Sequence, residues 1–259
     1  MRGVAAIGWL IATLVSILPI AAAAEPSLSL LPQTYPGTVV TIAGNAVVFA
    51  DGFRLDAGSS DPASPFQDLL QHASVQDMFR LAYPTGAPIA PPPPDFDPGR
   101  FRNKAFFDHL YGDCRKGEVE RNLVAVPWLP QSAGRSVYAN QRGGAAAHLR
   151  EVVAELERLP PQIRRAAYPI AGTYACRSVA DSGQPSMHAY GAAIDLNLSY
   201  SDYWLWQAGR KAAIQYRNRM PREIVDAFER HGFIWGGRWY HYDTMHFEYR
   251  PELLAAAPH

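Results

Sequence analysis

Ser186-Met-His188-Ala-Tyr-Gly191-Ala-Ala-Ile-Asp195, answered further along by Asp243-Thr-Met-His246-Phe-Glu248, is the part of this sequence whose reading decides the fold. His188 ends a polar loop, Asp181-Ser-Gly-Gln-Pro-Ser186, and Gly191 permits a sharp turn after it. Ala193-Ile-Asp195-Leu-Asn197 reads as a strand whose odd-numbered positions share a face. His246 falls in a second apolar run, Met245–Tyr249, able to lie beside the first. A loop histidine, a strand aspartate and a second-strand histidine can then converge. Two imidazoles and a carboxylate suit a zinc (Zn2+) shell whose fourth position stays open for water. Alone, each residue says little: one histidine is more often hydrogen-bonded in a core or on a surface, and one aspartate often serves a turn. The combination carries the reading.

Outward from this stretch, the periodicity is mixed. Thr38–Ala43 and Ala46–Ala50 flank Gly44-Asn45, and Asp51-Gly52 precedes Phe53-Arg54-Leu55, a pattern predicting a small meander. Ser64-Pro65 predicts the start of a helix carrying Phe66, Leu69 and Leu70. Residues 84–98 are proline-rich and exclude regular helix or central strand. Ala105, Phe106, Leu110 and Tyr111 fit a helix stopping at Gly112. A clearer one runs over 145–159, with Leu149, Val152, Val153, Leu156 and Leu159 on one face and Pro160-Pro161 ending it. Another begins at Pro221, buries Ile224, Val225 and Phe228, and closes at His231-Gly232. Short β-like runs are expected at 169–174, 192–198 and 245–249. The expected class is α+β: a small antiparallel sheet flanked by helices, with an N-terminal β/helical extension.

The 259 residues, 48% hydrophobic, are enough for one main domain with an appendage. Lys plus Arg (24) balances Asp plus Glu (24), so the basic footprint of a nucleic-acid binder is absent. Arg2, the apolar run to Ile20, Pro19 and Ala22-Ala23-Ala24 read as a cleaved signal peptide, the alternative being an uncleaved anchor. The expected organisation is therefore 1–24 leader, 25–95 extension and proline-rich linker, 96–259 main domain, with no membrane span in the mature chain. Export across the inner membrane, to the periplasm or beyond, makes a Cys114–Cys176 disulfide the expected state, against two separate buried thiols.

Ser-x-His-x-x-Gly-x-Ala-x-Asp with a later His-Phe-Glu resembles the zinc D-alanyl-D-alanine carboxypeptidase family, which includes VanY-like enzymes and the L-alanyl-D-glutamate endopeptidases of phage lysins. Trp235-Gly-Gly-Arg-Trp239 resembles the endopeptidase-like branch. The resemblance is strong over 172–248, weaker back to about Phe101, and leaves out 25–95. It implies a secreted peptidase with zinc on His188, Asp195 and His246, acting on peptidoglycan peptides. It further implies a general base three positions before the last ligand, here Asp243. Many carboxypeptidase members have Glu there and Trp before the His; Asp243, Thr244 and Met245 depart from that. Strand alternation offers Glu248 as the rival base, or as a group orienting a ligand. Gly172-Thr-Tyr-Ala-Cys-Arg177-Ser resembles the family strand whose Arg binds substrate and stabilises charge on the scissile carbonyl. Ser186 is expected to bond substrate or cap its loop, and His241 is left unassigned. A non-hydrolytic wall-peptide module is the reading from another class; the bond cut and the oligomeric state stay open.

Overall fold

The computed structural model describes residues 28–179, 182–207 and 214–257, so the expected leader lies outside the described residues. The fold is α+β, with small antiparallel sheets among short helices.

After α1 (Leu31–Thr34), the expected meander forms from β1 (Val39–Ala43), β2 (Ala46–Phe49) and β3 (Arg54–Asp56). Gly44 takes φ +62° in the first turn, a left-handed conformation that glycine adopts without a Cβ penalty. Helix α2 (Phe66–His72) follows; Pro65 sits extended at its N-cap and no side chain caps it, so Ser64 does not take that role. Helix α3 (Lys104–Tyr111) is capped by Asn103, whose side chain accepts from the Phe106 amide.

An antiparallel hairpin, β4 (Leu123–Trp128) and β5 (Arg135–Asn140), then packs against α4 (Ala145–Leu156). The predicted stripe of α4 is buried at Leu149, Val152, Val153 and Leu156, but the helix stops at Leu156, three residues short of the expected end, and Leu159 is only partly buried. Each such burial contributes roughly 2 kcal/mol. The short α5 (Pro161–Arg164) leads to the strand expected over 192–198, which reduces to β6 (Ala193–Asp195). Residues 169–174 form no strand, only a bridge pairing Gly172 with Asp195. Helix α6 (Arg222–Arg230) feeds β7 (Phe233–Trp235), and β8 (His246–Tyr249) lies between β6 and β7 before α7 (Pro251–Ala255) closes the described chain.

Residues before 96 share this core. Tyr35 stands edge-on to Phe106 at 5.9 Å and to Tyr249 at 6.4 Å between ring centres. Tyr83 donates to Glu229 Oε1 at 2.7 Å and accepts from the Trp235 amide at 2.8 Å. The proline-rich strap is tied to the same region, since Arg238 Nη1 reaches the Ala87 carbonyl at 3.2 Å. Among the described residues no helix is long and apolar enough to cross a membrane.

Candidate metal centre

The centre is built on the middle strand of the β6-β8-β7 sheet. Asp195 pairs in register with His246, and Ala193 with Glu248, so the three polar groups share one face. His188 arrives from a short 3-10 turn, Met187–Tyr190, whose N-cap Ser186 accepts from the His188 amide. Gly191 ends that turn at φ +66°, and a Cβ there would lie 2.6 Å from Leu123 Cδ2. The turn therefore closes directly onto the β4–β5 hairpin, where the Asn140 amide donates to the Gly191 carbonyl at 2.8 Å.

His188 Nε2, Asp195 Oδ1 and His246 Nδ1 form a tight triangle. Asp195 Oδ1 is 3.2 Å from His188 Nε2 and 3.0 Å from His246 Nδ1, and the two ring nitrogens are 3.2 Å apart. A tetrahedral zinc with bonds near 2.0–2.1 Å separates neighbouring donors by about 3.3 Å, so this donor set fits one face of such a shell. The outer ring nitrogens are held as well. His188 Nδ1 donates to the Thr173 carbonyl, and His246 Nε2 donates to Glu248 Oε2 at 2.9 Å. Each bond leaves the other nitrogen facing the triangle.

Electrostatics reinforce the arrangement. Burial alone would raise the Asp195 carboxyl, but hydrogen bonds from His188 and His246 outweigh it and hold the group well below the usual carboxylate range. Burial would likewise lower His246; the carboxylates of Asp195 and Glu248 instead push it up to about 10. Glu248 resists its own burial because Arg102, His246 and Arg250 surround it, and it lies well below the usual range.

His246 brings the triangle to a cleft of about 150 Å³ that is also lined by Arg100, Arg177, Ser186, Trp204, His241 and Asp243. Asp243 differs from Glu248 in a way that matters. Both Glu248 oxygens are engaged and the residue is fully buried, whereas Asp243 reaches the cleft with a buried Oδ1 that has no partner among the described residues. Burial pushes the Asp243 carboxyl up to about 7, with nearby His246 opposing and Asp195 adding to the shift. Gly236 sets its backbone: the Asp243 amide donates to the Gly236 carbonyl at 3.0 Å, and a Cβ on Gly236 would lie 2.6 Å from the Asp243 carbonyl oxygen. A Cβ on Gly237 would strike the Trp235 ring at 2.1 Å.

Arg177 is exposed at the cleft. Its neighbour Cys176 is bonded to Cys114, as expected from the cysteine pair. The Ser186 amide donates to the Arg177 carbonyl at 3.0 Å, joining the Arg177 and His188 segments.

Sequence reasoning did not single out Asp97, Arg100 and Arg102. Asp97 Oδ2 accepts from His241 Nδ1 at 2.7 Å and from Arg100 Nη1 at 3.2 Å, which settles His241 against one cleft wall. Burial would raise Asp97, but His241 and Arg100 hold it below its ordinary value. Asp97 and Arg100 stand only three residues apart, but no motif marks the pair, and His241 and Glu248 reach Asp97 and Arg102 only through the tertiary fold.

Residues 180–249 match the family described as D-alanyl-D-alanine carboxypeptidase. The matched segment contains His188, Asp195, Asp243 and His246, and it supports the family that the sequence resembles. No curated protein and no solved structure shows a significant match to the chain.

Proposed function

We propose that this protein is an exported zinc peptidase that hydrolyses peptide bonds in peptidoglycan stem peptides, with His188, Asp195 and His246 as the ligands. The observation that carries the reading is the His188–Asp195–His246 triangle with the Asp243 carboxylate beside it, His246 and Asp243 both lining one cleft. The matched family supports a peptidase, and the disulfide suits an oxidising compartment.

Bound at the triangle, zinc supplies Lewis acidity to the scissile carbonyl and lowers the pKa of water toward neutrality. Asp243 takes a proton from the attacking water through its carboxylate and returns it to the amine as the C–N bond breaks. Burial, which raises the Asp243 carboxyl, strengthens it as a proton acceptor. Arg177 places a cation where negative charge develops on the carbonyl oxygen. Glu248 acts as an orienting group for His246 and not as the base.

The deciding measurement is mass spectrometry of muropeptides incubated with the zinc-loaded protein, with and without chelator. Chelator-sensitive loss of a terminal alanine makes the enzyme a D,D-carboxypeptidase, and a cut within the stem makes it an endopeptidase. Bound zinc with no product from any muropeptide overturns the proposal in favour of a wall-peptide binding module.

A further inference from the structure

His246 Nε2 meets a carboxylate that is itself part of a longer buried chain of charge. Glu248 Oε2, which accepts from His246, also takes Arg102 Nη2 at 2.6 Å, and Oε1 takes Arg250 Nη1 at 3.2 Å. Arg250 Nε continues to Glu252 Oε1 at 2.5 Å, and Glu252 Oε2 accepts from the Tyr35 hydroxyl at 2.6 Å. Arg250 Nη1 is also fixed by the Gly99 carbonyl at 2.6 Å, and its guanidinium lies 5.0 Å over the Phe107 ring. Tyr35, Glu248, Arg250 and Glu252 are fully buried and Arg102 is 9% exposed.

We propose that Arg102, Arg250, Glu252 and Tyr35 are positioning residues of the metal centre, holding Glu248 so that the His246 ring can present only Nδ1 to the metal. The inference rests on the reading that His188, Asp195 and His246 hold that metal. It extends the centre to residues outside the matched segment 180–249, and through Tyr35 into the N-terminal extension.

The physical case has three parts. An imidazole can present either nitrogen, and the bond made by the outer one decides which faces inward. With a metal on Nδ1 the imidazole is neutral, so the balance of the Glu248 charge falls to Arg102 and Arg250. Two arginines and two glutamates cancel, which lets the group remain buried without a net charge. Such networks are weak sources of stability compared with well-packed apolar residues, so a role in fixing geometry is the better account of four charges at this depth. The two histidines are supported unequally as a result: a neutral backbone carbonyl backs His188, and a charge-balanced carboxylate backs His246.

The test uses the full chain loaded with Co2+ or Zn2+. Arg102→Gln should release metal to excess chelator about tenfold faster than wild type and shift the visible cobalt spectrum, with Arg102→Lys recovering most of the difference. Tyr35→Phe, a milder change that keeps the ring packing, should fall between wild type and Arg102→Gln, and it decides the matter if Arg102→Gln fails to fold. Wild-type release rates and an unchanged cobalt spectrum in these variants, whatever happens to the thermal midpoint, overturn the proposal. A wild-type chain that takes up neither metal would instead sink the zinc reading on which it rests.

Discussion

Asp195 and His246 are register partners across β6 and β8, with Asp195 Oδ1 3.0 Å from His246 Nδ1. Two of the three donors are therefore fixed by backbone ladder geometry, and only His188 depends on a turn. A two-residue set on adjacent strands is rigid in a way that loop ligands are not.

Asp195→Ala or His246→Ala should abolish metal uptake and peptidase activity together. Elemental analysis after dialysis, run beside the muropeptide assay, checks this. Full activity in a metal-free His246→Ala protein would falsify the assigned centre.

Asp243→Asn should behave differently, because its side chain lines the cleft without belonging to the triangle. Metal content should stay at the wild-type level while turnover falls about 10²–10⁴-fold. Loss of metal in this variant would mean that Asp243 is a ligand or a structural support and not the base.

Asp97 offers a pH test on a group outside the triangle. Its folded pKa is depressed by His241 and Arg100 despite burial, so it contributes stability above the unfolded aspartate pKa. That contribution is lost as pH falls through the folded value. Asp97→Asn should therefore cost about 2 kcal/mol at pH 7, and the difference from wild type should shrink toward zero in strong acid. Urea denaturation of both proteins across pH measures it; a gap that stays constant with pH argues against the charged pair.

The disulfide spans 62 residues of sequence, and closing a loop of that length stabilises the folded chain by about 4 kcal/mol in the chain-entropy picture. A Cys114→Ser/Cys176→Ser protein should unfold at correspondingly lower denaturant. Because Cys176 adjoins Arg177, it should also lose activity under conditions where it remains folded. Wild-type activity in the folded double variant would separate the disulfide from the site.

Where one element carried its own pattern, it was legible in the sequence. The α4 stripe and the Gly44-Asn45 turn are local signals; the turn forms where the pattern puts it, and the helix forms over 145–156 of the expected 145–159. The β4–β5 hairpin was missed because Pro127 interrupts its first strand, a residue that normally argues against a strand; this two-stranded sheet tolerates it. β7 is three residues long, too short for any periodicity. The same contrast holds at the site. His188, Asp195 and His246 stand in a recognisable spacing, and the structure brings them together. Arg102 and Asp97 lie 146 and 144 residues from Glu248 and His241, and no linear pattern connects such pairs.

Gly236 has a genetic consequence. It has no side chain to offer a substrate, yet even a methyl group there would collide with the backbone oxygen of Asp243 and crowd the Trp239 ring. A screen for inactive alleles should recover lesions at this codon as readily as at the acidic residue itself. The alphabet tolerated at position 236 would then act as a ruler, with each added atom reporting how far the proton acceptor can be displaced before turnover stops.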